Sequence, residues 1–201
     1  MEGYFLKPIN QDKAREDILE ASHNLADYLY QEKIRSVMFL DNSARQAYVG
    51  LKEIWKKDYG AEPEPNIYFI NARPISFRDD FPELAEEFAE KYKNLDKNQP
   101  ILLYDVCAHS GQTTSNVRDF FKYLGFNDVR IAITSVSSDF PEEKKAELDL
   151  VCLPRRAQLG CHPFGQPTYV KTSGSLVSKI NQKKYSQAVV RNEHKKIKEV
   201  F

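Results

Sequence analysis

Apolar residues recur along this chain at two periods that take turns. Over residues 13–31, Ile18, Ala21 or Ser22, Leu25 and Leu29 fall on one stripe, which predicts an amphipathic helix covering a core. A short apolar run, Val37–Leu40, ends at Asp41, after which Tyr48, Leu51 and Trp55 are spaced helically. The order strand, turn, helix then repeats. After the proline-punctuated AEPEP, Ile67–Ile70 reads as a buried strand and Phe81–Leu95 as a helix with Leu84, Phe88 and Tyr92 on one side. Between them NARPISFRDD predicts a mobile loop. Ile101–Tyr104 is the third strand and Thr114–Leu124 the third helix of this series, with Val117, Phe120, Phe121 and Leu124 at i, i+3, i+4 and i+7 and Gly125 placed to stop it. Val129–Thr134 predicts a fourth strand, Glu142–Glu147 a short helix, and Leu148–Leu153 a fifth strand closed by Pro154.

Strands alternating with helices at this spacing imply right-handed crossovers, hence an α/β fold with an open, mostly parallel sheet and helices on both faces. The expected organisation is one domain: residues 1–35 as a helical segment packed on the core, 36–154 as the α/β core, and 155–201 as a hood-like loop region with a C-terminal helix. LPRRAQLGCHPFGQPTYVKTSGSLVSK has loop chemistry, and the helix-like pattern returns from Gln182 to Phe201.

Composition narrows the function classes. Lys plus Arg equals Asp plus Glu at 29 each, so no global field draws in nucleic acid or an anionic membrane, and any anion must be captured locally. No apolar run approaches the roughly 18 residues of a membrane span. The N-terminal MEGYFLKPINQDKARED lacks a signal peptide's apolar core, so a cytoplasmic location is expected. Cys107, Cys152 and Cys161 form no CxxC pair, and reduced thiols are expected rather than a disulfide framework or a zinc site.

In open parallel sheets the ligand crevice lies beyond the carboxyl ends of the strands. After ILLY comes Asp105-Val106-Cys107-Ala108-His109-Ser110-Gly111-Gln112-Thr113-Thr114, then the strongest helix. Gly111 lets backbone approach a ligand, Ser110, Thr113 and Thr114 offer hydroxyls, and the helix start offers free N–H groups and the positive end of a dipole. Together they suit a phosphate monoester, with Asp105 as acceptor for sugar hydroxyls. The plainer alternative is that Ser110, Thr113 or Thr114 caps the helix and Asp105 ends a strand. There is no Walker A lysine and no GxGxxG.

LLYDVCAHSGQTT resembles the phosphoribosyl-pyrophosphate (PRPP) motif of type I phosphoribosyltransferases: a hydrophobic strand, two acids, a short hydrophobic pair, then Thr/Ser-Gly-x-Thr. Ser110-Gly111-Gln112-Thr113 corresponds to the phosphate-binding end and Asp105 to the first acid. Val106 stands at the second, where uracil phosphoribosyltransferases also carry a non-acid. The resemblance implies a 5-phosphate seat at His109, Ser110, Gly111, Gln112, Thr113 and Thr114, with ribose hydroxyls on Asp105. It further implies a pyrophosphate loop at Asp41, Asn42, Ser43, Ala44 and Arg45, with Arg45 joining Asp105 in catalysis. An Asn/Ser helix cap with a surface arginine is the alternative there. Arg73 and Arg78 would belong to a loop closing over the reacting centre, or be solvated. Arg155 and Arg156, with CHPFGQPTY behind them, fall where the family's hood forms a base or partner pocket. His162 is read as a loop histidine, and Lys183-Lys184 and Lys195-Lys196 as a solvated helical face.

The activity so implied is transfer of a 5-phosphoribosyl group from PRPP to a nitrogen nucleophile, with Mg²⁺ arriving on the substrate rather than in a carboxylate cage. Family members are often homodimers, and a small molecule, PRPP or a nucleotide, is the expected partner. The alternative is a non-catalytic sensor of PRPP or a nucleotide that keeps the fold. On either reading Gly111→Val should block the ligand sterically and leave the fold largely intact.

Overall fold

The computed structural model describes residues 11–40, 44–76, 81–154, 195 and 198–201. In chain order the elements are α1 (Gln11–Gln31), β1 (Ser36–Leu40), α2 (Ala44–Asp58), β2 (Asn66–Ile70), α3 (Arg73–Ser76), α4 (Pro82–Lys91), β3 (Ile101–Ala108), α5 (Gln112–Tyr123), β4 (Val129–Val136), α6 (Glu142–Lys145) and β5 (Leu150–Val151). The five strands form one sheet in the order β2-β1-β3-β4-β5, and every pairing is parallel. This is the expected open α/β sheet.

Each face of the sheet buries a different helix pair. Ile18, Leu25 and Leu29 of α1 and Leu51, Ile54 and Trp55 of α2 pack with Val37, Phe39, Leu102 and Tyr104. On the other face Leu84 and Phe88 of α4 and Val117, Phe120 and Phe121 of α5 pack with Met38, Leu40 and Leu103. Alternate residues of one strand serve opposite faces because strand side chains alternate. That double burial is why β1 and the start of β3 read as unbroken apolar runs. A third cluster, Ala108, Ile131, Ile133, Val136 and Phe140, lies under the β4–β5 connection.

Helix α5 ends as its sequence requires. Gly125 has φ +87, its N–H donates to Lys122 O at 2.9 Å, and Phe126 N–H donates to Phe121 O at 3.1 Å, the paired bonds of a Schellman motif.

Several boundaries differ from expectation. Strand β3 continues to Ala108, four residues beyond Tyr104, because β4 also runs on and pairs with it at Cys107↔Ser135 and Ala108↔Val136. Helix α5 starts at Gln112 rather than Thr114. The segment expected to be a loop carries the one-turn helix α3, and β5 is only two residues long. Among the described residues no helix is long and apolar enough to cross a membrane. Of the expected hood and C-terminal helix, Arg155, Arg156, Cys161, His162, Lys183, Lys184 and Lys196 lie outside the described residues.

Candidate functional site

The strand order places a switch point between β1 and β3. From β1 the chain crosses to β2 on one side, and the later strands add on the other, so the helices that follow the two central strands lie on opposite faces and leave a crevice at their carboxyl ends. Strand β1 makes its last contact with β3 at Phe39↔Tyr104. Strand β3 runs on to Ala108 with β4 alone beside it. Residues 105–108 therefore form one wall of the crevice.

Asp105 begins this wall. It is half-buried, pairs in register with Ile133 of β4, and accepts the N–H of Val106 on Oδ1 at 2.7 Å. Val106 points the other way: its side chain is buried in the apolar cluster formed with α1 and α2. The place of the second acid is thus a core position in this chain. Beneath it Tyr104, fully buried, shares a 2.5 Å hydrogen bond with Thr134 Oγ1, and burial pushes its hydroxyl pKa well up.

His109 and Ser110 are exposed, and Gly111 is the N-cap of α5 at φ +70, ψ 1. That left-handed conformation is what lets the chain turn from strand to helix here, and it suits glycine. Ser110 Oγ accepts the N–H of Gln112 at 3.3 Å. That bond is a serine turn just ahead of the helix; the N-cap itself, Gly111, has no side-chain cap. Ser115 N–H donates to Gly111 O. Among the described residues the N–H groups of Thr113 and Thr114 have no acceptor. Thr114 itself turns inward, its hydroxyl donating to Gly111 O at 2.9 Å. Gln112 Nε2 donates to Asn116 Oδ1 along the helix. The loop thus exposes His109 and Ser110, with the half-buried Thr113 beside them.

Gly111 differs from expectation in one respect. A Cβ at this position would lie 3.2 Å from two ring carbons of Phe140 and from Cδ of Lys144. Valine would press on this packing in a disfavoured backbone conformation, so it disturbs the fold itself.

The second crevice wall was not read from sequence. After β4, Ser137 N–H donates to Ala108 O at 2.9 Å and Ser137 Oγ to His109 O at 3.4 Å, which ties the two loops together. The carboxyl of Asp139 is held below its usual range by a hydrogen bond from Ser137, by its own backbone N–H and by the nearby His109. Cys107, half-buried, has Sγ 3.9 Å from His109 Nε2; burial first, then the charges of Asp105 and Asp139, push its thiol up. The available signal was SVSSDF following an apolar strand, which is where the crevice rule directs attention.

Other expected residues lie elsewhere or are undescribed. Ala44 is buried. The guanidinium of Arg45 sits over the ring of Phe69 on β2, 4.2 Å from its centroid, and burial lowers its pKa; β1 lies between that strand and Asp105 on β3. Arg73 is exposed on α3, its backbone N–H donating to Asn71 Oδ1 at 3.3 Å. Asp41, Asn42, Ser43 and Arg78 lie outside the described residues. Among the described residues no group of three or more His, Cys, Asp or Glu side chains is arranged to hold a metal.

No protein-family model matches the sequence, and no curated protein matches it. Solved structures do resemble the fold. A purine phosphoribosyltransferase from Pyrococcus horikoshii is 15% identical, with 62% of this chain and 80% of that one covered at a TM-score of 0.40. A hypoxanthine-guanine phosphoribosyltransferase from Schistosoma mansoni, solved with IMP, is 16% identical over 73% of this chain and 64% of that one, at 0.44. A hypoxanthine phosphoribosyltransferase from Staphylococcus aureus is 11% identical over 69% and 73%, at 0.45. All three are phosphoribosyltransferases.

Proposed function

We propose that the protein binds PRPP, or a ribose 5-phosphate or nucleotide, and transfers the phosphoribosyl group to a nitrogen nucleophile such as a nucleobase with release of pyrophosphate. The observation that supports this best is the strand-to-helix turn His109–Gly111, after which the N–H groups of Thr113 and Thr114 find no acceptor among the described residues, on the same connection as Asp105. Amides and dipole at a helix start favour a dianionic phosphate, and a carboxylate a few residues upstream suits the hydroxyls of the attached pentose. In the reaction the C1′–N bond forms as the bond from C1′ to the diphosphate oxygen breaks. Pyrophosphate leaves with the electron pair and the acceptor nitrogen loses its proton. Such a centre needs orientation, a stabilised leaving group and exclusion of water more than acid-base chemistry. Mg²⁺ enters as part of the substrate.

The burial of Val106 favours a second reading, a PRPP or nucleotide sensor without turnover. Lacking a second acid beside Asp105, this strand end presents one carboxylate to two ribose hydroxyls. A thermal-shift panel of PRPP and nucleoside monophosphates with Mg²⁺, coupled to an assay for released pyrophosphate across nucleobases, separates the two. Stabilisation with pyrophosphate release supports transfer; stabilisation without release supports sensing. Asp105→Asn should weaken PRPP binding roughly tenfold or more, the loss of one charge-assisted hydrogen bond. No stabilisation by any ribose 5-phosphate compound would sink both readings.

A further inference from the structure

We infer that Lys144 supplies the cation of the phosphate seat, reaching the Gly111 loop from the β4–β5 connection and selecting ligands that carry a dianionic phosphomonoester. This rests on the ribose 5-phosphate reading above. The carrying observation is the contact at Gly111: Cδ of Lys144 lies 3.2 Å from the position a Cβ would take there, so the lysine stem runs over the loop and its ammonium ends within a few ångströms of it.

The placement is built, not incidental. Ser137 N–H to Ala108 O at 2.9 Å fastens the β4–α6 segment to the end of β3, Phe140 N–H to Ser137 O at 3.2 Å tightens the turn, and Lys144 N–H to Pro141 O at 3.1 Å starts α6. Phe140, buried, backs the glycine. Lys144 is half-buried, its stem lying on apolar surface while the charge keeps access to water. Of the neighbouring acids, Glu142 pairs with Lys145 at 2.5 Å and Glu147 with Arg118 and Ser115, while Glu143 is exposed and Asp139 lies by Ser137 and His109. Among the described residues Lys144 has no ion-pair partner. A chain with no net charge has only such local cations to capture an anion, and a lysine ammonium is a compact point charge suited to phosphate.

The test is isothermal titration of ribose 5-phosphate, ribose and inorganic phosphate into the full chain and into Lys144→Gln, Lys144→Arg and Lys145→Gln, with salt varied. Lys144→Gln should weaken ribose 5-phosphate binding roughly tenfold or more and flatten its salt dependence. Lys144→Arg should stay within about threefold, and Lys145→Gln, one residue away with its charge paired to Glu142, should bind as wild type. An unchanged melting temperature for Lys144→Gln separates loss of the cation from loss of structure. Equal binding by wild type and Lys144→Gln, or equal weakening by Lys144→Gln and Lys145→Gln, overturns the assignment and leaves the ribose 5-phosphate reading standing. If inorganic phosphate binds and depends on Lys144 while ribose 5-phosphate does not bind, the cation stands and the ribose reading falls. If wild type binds neither anion, both fall.

Discussion

At Gly111 the backbone conformation and the side-chain packing make the same demand. Its φ of +70 costs an L-residue about 1–2 kcal/mol, and a methyl group there would touch Phe140 and Lys144 at 3.2 Å. Gly111→Ala should therefore destabilise by about 1–2 kcal/mol or more in urea unfolding; a neutral result would mean the loop relaxes freely. Tyr59 makes a second residue-scale prediction. Its hydroxyl donates to Asp27 Oδ1 at 2.5 Å, and that bond, with burial and the charge of Asp27 following, raises its pKa from 10.0 to about 12. The folded state favours the protonated phenol, so the stabilisation is fully present below pH 10 and is lost as pH rises through about 12. Against Tyr59→Phe, the wild-type advantage in denaturant unfolding should be flat at neutral pH and shrink over that alkaline window. An advantage that grows there would contradict the assignment. The hydroxyls Ser110, Thr113 and Thr114 stood out in the sequence as one group; the fold gives them three different situations, because outward and inward positions alternate around a helix start.

Between elements, the tightest demand is where α1 crosses α2. A Cβ at Gly50 would sit 2.2 Å from Ser22 Oγ, and Ser22 is buried with no hydrogen-bond partner for that oxygen among the described residues. Gly50→Ala should cost about 1–3 kcal/mol through overpacking, whereas Ser22→Ala should be near neutral, since it removes a buried unpaired polar atom. The double variant should recover much of the loss, and the coupling read from a double-mutant cycle is the decisive number. Full additivity would mean that the helices separate without resistance. The elements themselves were largely legible. Val117, Phe120, Phe121 and Leu124 announced α5 and Gly125 its end, since helix period and left-handed glycine are local properties. The extension of β3 through Asp105 and Cys107 was not, because polar residues interrupt the apolar run and the strand is prolonged by hydrogen bonds to β4, a partner more than twenty residues away in sequence.

For the molecule as a whole, the sheet order predicts a gradient of stability. Strands β1 and β3 are central and covered on both faces, while β5 has two residues at an edge. Hydrogen exchange should find Val37–Leu40 and Leu102–Tyr104 opening only with global unfolding, and Leu150 and Val151 exchanging far sooner. Uniform protection across the sheet would refute that gradient. Periodicity, apolar runs and glycine placement are properties of a few neighbouring residues, and from them the sequence by itself determined the alternation of strands and helices, the parallel α/β class and the strand-to-helix connection at Asp105–Thr114. Strand order, the burial of Val106, the turn of Arg45 toward Phe69 and the approach of Ser137, Asp139 and Lys144 to the Gly111 loop were decided only in the tertiary structure. Each depends on which distant segments pack side by side and which way a side chain faces once they do, and no window of sequence contains that information.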